Sequence, residues 1–62
     1  MFKLVKDSYS ATPLLPHQIV LLENQYNEAP ERYKNRKGDV SSIRHEINLV
    51  IIVLGYKFVE VD

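Results

Sequence analysis

The sequence contains no cysteine, which excludes disulfides, thiolate zinc sites and thiol chemistry. It has only two glycines, Gly38 and Gly55, so no glycine-rich loop is present to cradle a phosphate. An excess of charge of either sign is also missing. Eight Lys and Arg balance eight Asp and Glu, which argues against coating nucleic acid through bulk charge but leaves a local basic patch open. Long hydrophobic runs are absent. The greasiest stretch, Ile47 to Leu54, is eight residues with Asn48 inside it, against about 20 needed to cross a bilayer. Arg44, His45 and Glu46 do not make the basic amphipathic face of a helix lying on a membrane. Met1 to Asp7 intersperses charges with apolar residues and lacks the apolar h-region of a signal peptide. A cytoplasmic chain without a membrane partner is expected.

Arrays that carry chemistry are equally scarce. His17 and His45 fall on different predicted helices, and His45 and Glu46 are adjacent, so their side chains point apart. Nothing resembles a His-Glu-x-x-His array. Glu28 and Glu31 flank Pro30, where the first helix is expected to stop, so no helix is expected to present them together. No serine has a convincing histidine and carboxylate spacing. The expectation is a non-enzymatic protein with no catalytic residue, no metal site and no cofactor.

What is present is apolar surface. Hydrophobic residues make up 45% of 62 positions, enough for one small domain spanning 1–62. A domain of this size buries only about 60% of the surface its unfolded chain exposes. Without disulfides or a metal, a second subunit is the remaining means of adding stability.

The pattern predicts four elements. Phe2, Leu4 and Lys6 alternate with Lys3, Val5 and Asp7 as a short strand. Ser8 to Pro13 is turn-forming, and Pro16 suits the first position of a helix. Leu15, Ile19, Leu22 and Tyr26 then follow three/four spacing, which predicts a helix over 16–28 ended by Pro30. Gln18, Glu23, Asn24, Asn27 and Glu28 form its polar side. Gly38-Asp39 reads as a turn and N-cap, and Val40, Ile43, Ile47, Val50 and Leu54 predict a second helix over 40–54 stopped at Gly55. Val50 to Val53 are all β-branched, so a hairpin over 49–61 competes with that helix; the 40, 43, 47, 50, 54 spacing favours the helix. Tyr56 to Val61 alternates as the closing strand. The expected fold is a small α+β, β-α-α-β domain with an antiparallel helix pair and a short two-stranded sheet, open to extension by dimerisation. Phe2 and Phe58 are expected to face each other across the strands.

Two surfaces are candidates for function. Leu49, Ile52 and Val53 lie opposite the predicted core stripe of the second helix and would contact a protein partner. Arg32, Tyr33, Lys34, Arg36 and Lys37 put four basic residues in six around an aromatic, suited to phosphate contact and base stacking. Arg44, His45 and Asn48 would extend that surface along the second helix. A helix followed by strand residues loosely resembles a winged helix, but the predicted connection of about ten residues exceeds the three or four of a helix-turn-helix. The favoured reading is a homodimeric interaction protein, an accessory or inhibitory factor docking on a protein partner, with its charged contacts from Arg32, Lys34, Arg36 and Lys37. The alternative is a small DNA-binding regulator using the basic segment.

Overall fold

The computed structural model describes residues 1–61, Lys37 by its backbone only. The order is β1 (Phe2–Lys6), α1 (Pro16–Arg32), α2 (Lys37–Leu54) and β2 (Tyr56–Glu60), the expected β-α-α-β arrangement. The strands pair antiparallel from Phe2↔Glu60 to Lys6↔Tyr56. The helices run antiparallel over one face of this sheet, α1 on β1 and α2 on β2. The apolar segment 49–54 is helical, so the hairpin alternative is not adopted. Burial of one side of an all-apolar segment overrides the modest helix penalty of its β-branched residues.

Leu4, Ile51 and Tyr56 form the core, with Ile19, Leu22, Ile47, Leu54 and Phe58 packed against them. Phe2 and Phe58 are not directly opposed. The register sets Phe2 opposite Glu60 and Leu4 opposite Phe58, and the buried Tyr26 ring bridges the two phenylalanines. It meets Phe2 edge-on at 5.0 Å and stacks on Phe58 at 3.9 Å.

Both helix boundaries around the central connection differ from expectation. Helix α1 does not stop before Pro30 but continues to Arg32. A proline inside a helix supplies no N–H to the carbonyl four residues earlier, here that of Tyr26. The Arg44 Nε on α2 donates to that carbonyl at 3.1 Å, so the group orphaned by Pro30 is satisfied from outside the helix. Glu28 and Glu31 consequently share one continuous helix, contrary to expectation. Helix α2 begins at Lys37, placing Gly38 and Asp39 inside its first turn. Asp39 there opposes the positive end of the helix dipole and receives the Arg36 guanidinium. The connection is Tyr33–Arg36, four residues and not ten. It joins two helices packed antiparallel side by side, where a helix-turn-helix crosses them at about 90–120°.

The other ends follow their sequence signals. Pro16 opens α1, and the Gln18 Oε1 accepts the Leu15 amide at 2.9 Å, one half of a capping box. Gly55 ends α2 at φ 86°, its N–H bonded to the last-turn carbonyls of Ile51 and Ile52. The segment between β1 and α1 closes over this cap. Asp7 donates to the Gly55 carbonyl at 2.8 Å, Thr12 to that of Leu54 at 2.9 Å, and the Leu14 amide to the Tyr56 hydroxyl at 3.1 Å.

The stripe of α2 shifts by one residue along its length. Ile51 is fully buried and Val50 is 55% exposed, the reverse of the predicted order. The predicted positions repeat every 3.5 residues, whereas a straight helix repeats every 3.6 and drifts about 20° per heptad. Counting from Val40, three turns of helix arrive at Ile51.

Candidate interaction surfaces

Helix α2 places its residues by their angle around the axis. Ile43, Glu46 and Ile47 line a recess with Gln25, Arg32 and Tyr33 and so mark the side turned to α1. Ile52 lies nine residues beyond Ile43, about two and a half turns, and therefore on the flank turned away from α1. Ser41, His45 and Leu49 share that flank within about 60° by the same geometry. Val53 lies between the two flanks, on the side away from the sheet. Leu49 is 53% exposed, Ile52 65% and Val53 85%. With Val50, half of the eight-residue apolar run is left in contact with solvent. Leu21 and Val20 on α1 are also exposed.

The basic candidates are dispersed. Arg32 ends α1 and donates to Glu28 at 3.2 Å. Tyr33 is half-buried at the helix end, and Lys34 is exposed in the turn. Arg36 is tied to Asp39, and the side chain of Lys37 lies outside the described part of the chain. Arg44 is turned inward. Its guanidinium lies 4.8 Å from the Tyr26 ring centre and 5.2 Å from that of Phe2, besides donating to the Tyr26 carbonyl. Asn48 is also half-buried, its amide donating to the Tyr26 hydroxyl at 3.4 Å. His45 remains exposed on the outer flank. The structure thus brings Arg44 and Asn48 together around Tyr26 and sets both apart from the turn at 33–36. His17 is the second residue of α1, and among the described residues no three His, Asp or Glu side chains gather as metal ligands. No helix of the described residues is long and apolar enough to cross a membrane.

The two sheet edges are treated differently, which the sequence did not disclose. Asp7 and Val61 bond across the sheet to Gly55 and Met1, so in this register the odd-numbered strand residues bond inward and the even-numbered ones outward. On β1 the outward groups of Phe2 and the outward N–H of Leu4 meet α1. The Asn27 amide accepts from the Phe2 N–H at 2.7 Å and donates to its carbonyl at 2.9 Å, as the peptide group of a third strand would. Glu23 accepts from the Leu4 N–H at 3.0 Å. Two residues read from the sequence as plain polar surface therefore cover an edge; their four-residue spacing, one turn apart, was the only available signal. On β2 the outward N–H groups of Phe58 and Glu60 have no partner among the described residues. Lys3, Val5, Lys57 and Val59 occupy the sheet face turned away from the helices, where Lys57 pairs with Asp7 at 3.3 Å.

No protein-family model, no curated protein and no solved structure matches this chain.

Proposed function

We propose that this chain is a protein-docking module, acting as an accessory or inhibitory factor through the distal half of α2 without chemistry of its own. One observation carries the reading: Leu49, Val50, Ile52 and Val53 are all more than half exposed within five residues of one helix. Fully burying such a side chain contributes about 1.5–3 kcal/mol. Four of them represent a reserve comparable with the roughly 3–9 kcal/mol expected for the whole domain. The basic residues support docking less well, because Arg32, Arg36 and Arg44 already have partners within the fold.

A photoreactive amino acid at position 53 and, separately, at position 34 tests the reading in cells that make the protein. Adducts to a different protein from position 53, lost when Val50→Asp is added while the melting transition is retained, are expected. The measurement that overturns it is fluorescence anisotropy with duplex DNA. Micromolar binding that falls steeply with salt, and is lost on neutralising Arg32, Lys34 and Arg36, would establish the DNA-binding alternative.

A further inference from the structure

The outer edge of β2 is the structure's clearest unmet hydrogen-bonding surface, and we infer that it pairs antiparallel with β2 of a second copy to form a four-stranded sheet. The asymmetry between the edges carries the inference. Asn27 and Glu23 meet the β1 edge at Phe2 and Leu4 with groups that imitate a neighbouring strand, whereas on β2 the Phe58 and Glu60 amides point outward with no partner among the described residues. A row of outward N–H and C=O groups is complemented by another strand. A two-stranded sheet is marginal on its own, and four strands under four helices are a stable layer.

The chain's own β2 fits as that strand. Pairing through outward groups requires the even-numbered residues to face one another. Centring the two-fold axis on Phe58 sets Tyr56 opposite Glu60 and Lys57 opposite Val59 of the second copy. All five residues of β2 then overlap, and no like charges stand directly opposed. Sliding by two residues toward Gly55 would set Lys57 against Lys57 of the second copy, which is unfavourable. The sheet would also join below the outer flanks of the two α2 helices, because α2 lies over β2 and turns Ile52 and Leu49 away from α1. Apolar flanks that are open in one copy thereby gain an apolar neighbour. The inference rests on the docking reading only in assigning Ile52 and Leu49 to the contact, and it leaves Val53 free for a different protein.

Sedimentation of the full chain over a wide dilution series tests this, with Glu60→Pro and Val53→Asp as variants. Proline at 60 removes one outward N–H and leaves the bonds of Val59 and Val61 to β1 untouched. The wild type is expected to pass from the 7.2 kDa monomer to twice that mass with rising concentration. Two edge bonds are lost per symmetric dimer, so Glu60→Pro is expected to weaken association by about tenfold or more, and Val53→Asp to leave it unchanged. Hydrogen exchange in the wild type keeps the test independent of how the proline variant folds. The Phe58 and Glu60 amides are expected to slow as the dimer forms. A monomer at every concentration overturns the inference, as does a dimer whose Phe58 and Glu60 amides exchange as fast as in dilute solution. A dimer lost on Val53→Asp but not on Glu60→Pro places the contact on the helix face and also overturns it. Adducts from position 53 to a different protein, found with a monomeric wild type, would leave docking standing and remove only the edge pairing.

Discussion

Pro30 and Arg44 lie on different helices and act on one atom, the Tyr26 carbonyl, so their contributions to stability should be coupled. The perturbation is a double-mutant cycle of Arg44→Met and Pro30→Ala. With Pro30 present, Arg44→Met leaves the Tyr26 carbonyl without a donor and withdraws a cation from two aromatic rings. A hydrogen bond from a charged donor contributes about 1.5–3 kcal/mol, and a cation over a ring about 0.5–1 kcal/mol where partly solvated. Methionine keeps the length and most of the apolar packing of the arginine stem. A loss of about 2–4 kcal/mol is therefore expected, a large fraction of the stability of a domain this small.

In the Pro30→Ala background the alanine N–H reaches the Tyr26 carbonyl from within the helix. Arg44→Met then removes only the ring contacts and one of two donors, and its cost should fall by about 1 kcal/mol, within the range seen for residues sharing one partner. Pro30→Ala alone should stabilise, because it restores an intrahelical bond and removes the clash of the ring with that carbonyl. Urea unfolding of the four proteins, followed by far-ultraviolet circular dichroism, measures all the terms. Equal costs of Arg44→Met in both backgrounds would refute the argument, since the arginine would then not be answering the proline.

Four further substitutions separate conformational, steric and packing terms. Gly55→Ala should destabilise by more than the roughly 1–2 kcal/mol of a left-handed non-glycine residue. The added Cβ would lie 2.8 Å from the Ala11 Cα and from the Ser8 Oγ; a midpoint unchanged in urea unfolding would contradict this. Gly38→Ala has open space around its new methyl group and a helical backbone, so it should stabilise by up to about 1 kcal/mol. By calorimetry that is a rise in Tm of a few degrees, about 4–8 °C per kcal/mol at this chain length. Ile51→Ala should cost about 2–5 kcal/mol, while the same change at Val50 should cost well under half as much; equal effects in urea would show the buried stripe to be wrongly placed.

The arrangement of elements was legible because each local signal agreed with the next. Pro16 and Gly55 mark a helix start and a helix end with backbone preferences that act within a few residues. The alternation at 2–6 and 56–60 is short but sits outside two helical patterns, and antiparallel helices of similar length return the chain to its starting strand. Signals that depend on a distant partner were not legible. Pro30 reads as a stop in any local account, because the donor that permits it lies 14 residues away on another helix. Val50 and Ile51 could not be ranked, since every residue from Leu49 to Leu54 is apolar and the choice turns on a tenth of a residue per turn accumulated over three turns. The candidate surfaces divided in the same way. Exposure of Leu49, Ile52 and Val53 follows from helix geometry, whereas the inward turn of Arg44 and Asn48 depends on the Tyr26 they meet in the folded chain.

The same distinction explains why the polar side chains of this domain concentrate where the backbone is incomplete. Asn27 and Glu23 answer the β1 edge at Phe2 and Leu4, Arg44 completes α1 at the point where Pro30 breaks its ladder, and the Tyr56 hydroxyl takes the Leu14 amide ahead of α1. Each lies half-buried or buried, where an unmet backbone group costs about 1–3 kcal/mol. With a core this small the fold cannot tolerate many such losses. The β2 edge departs from that pattern: it lies beside the apolar flank of α2, yet among the described residues no side chain reaches the amides of Phe58 and Glu60. A fold that answers one edge at Phe2 and Leu4 with two side chains and leaves the amides of the other unanswered would bear the cost of an aggregation-prone strand for nothing. Pairing of that edge turns the exception into the rule the rest of the domain follows, with a second chain supplying the group that α1 supplies to β1.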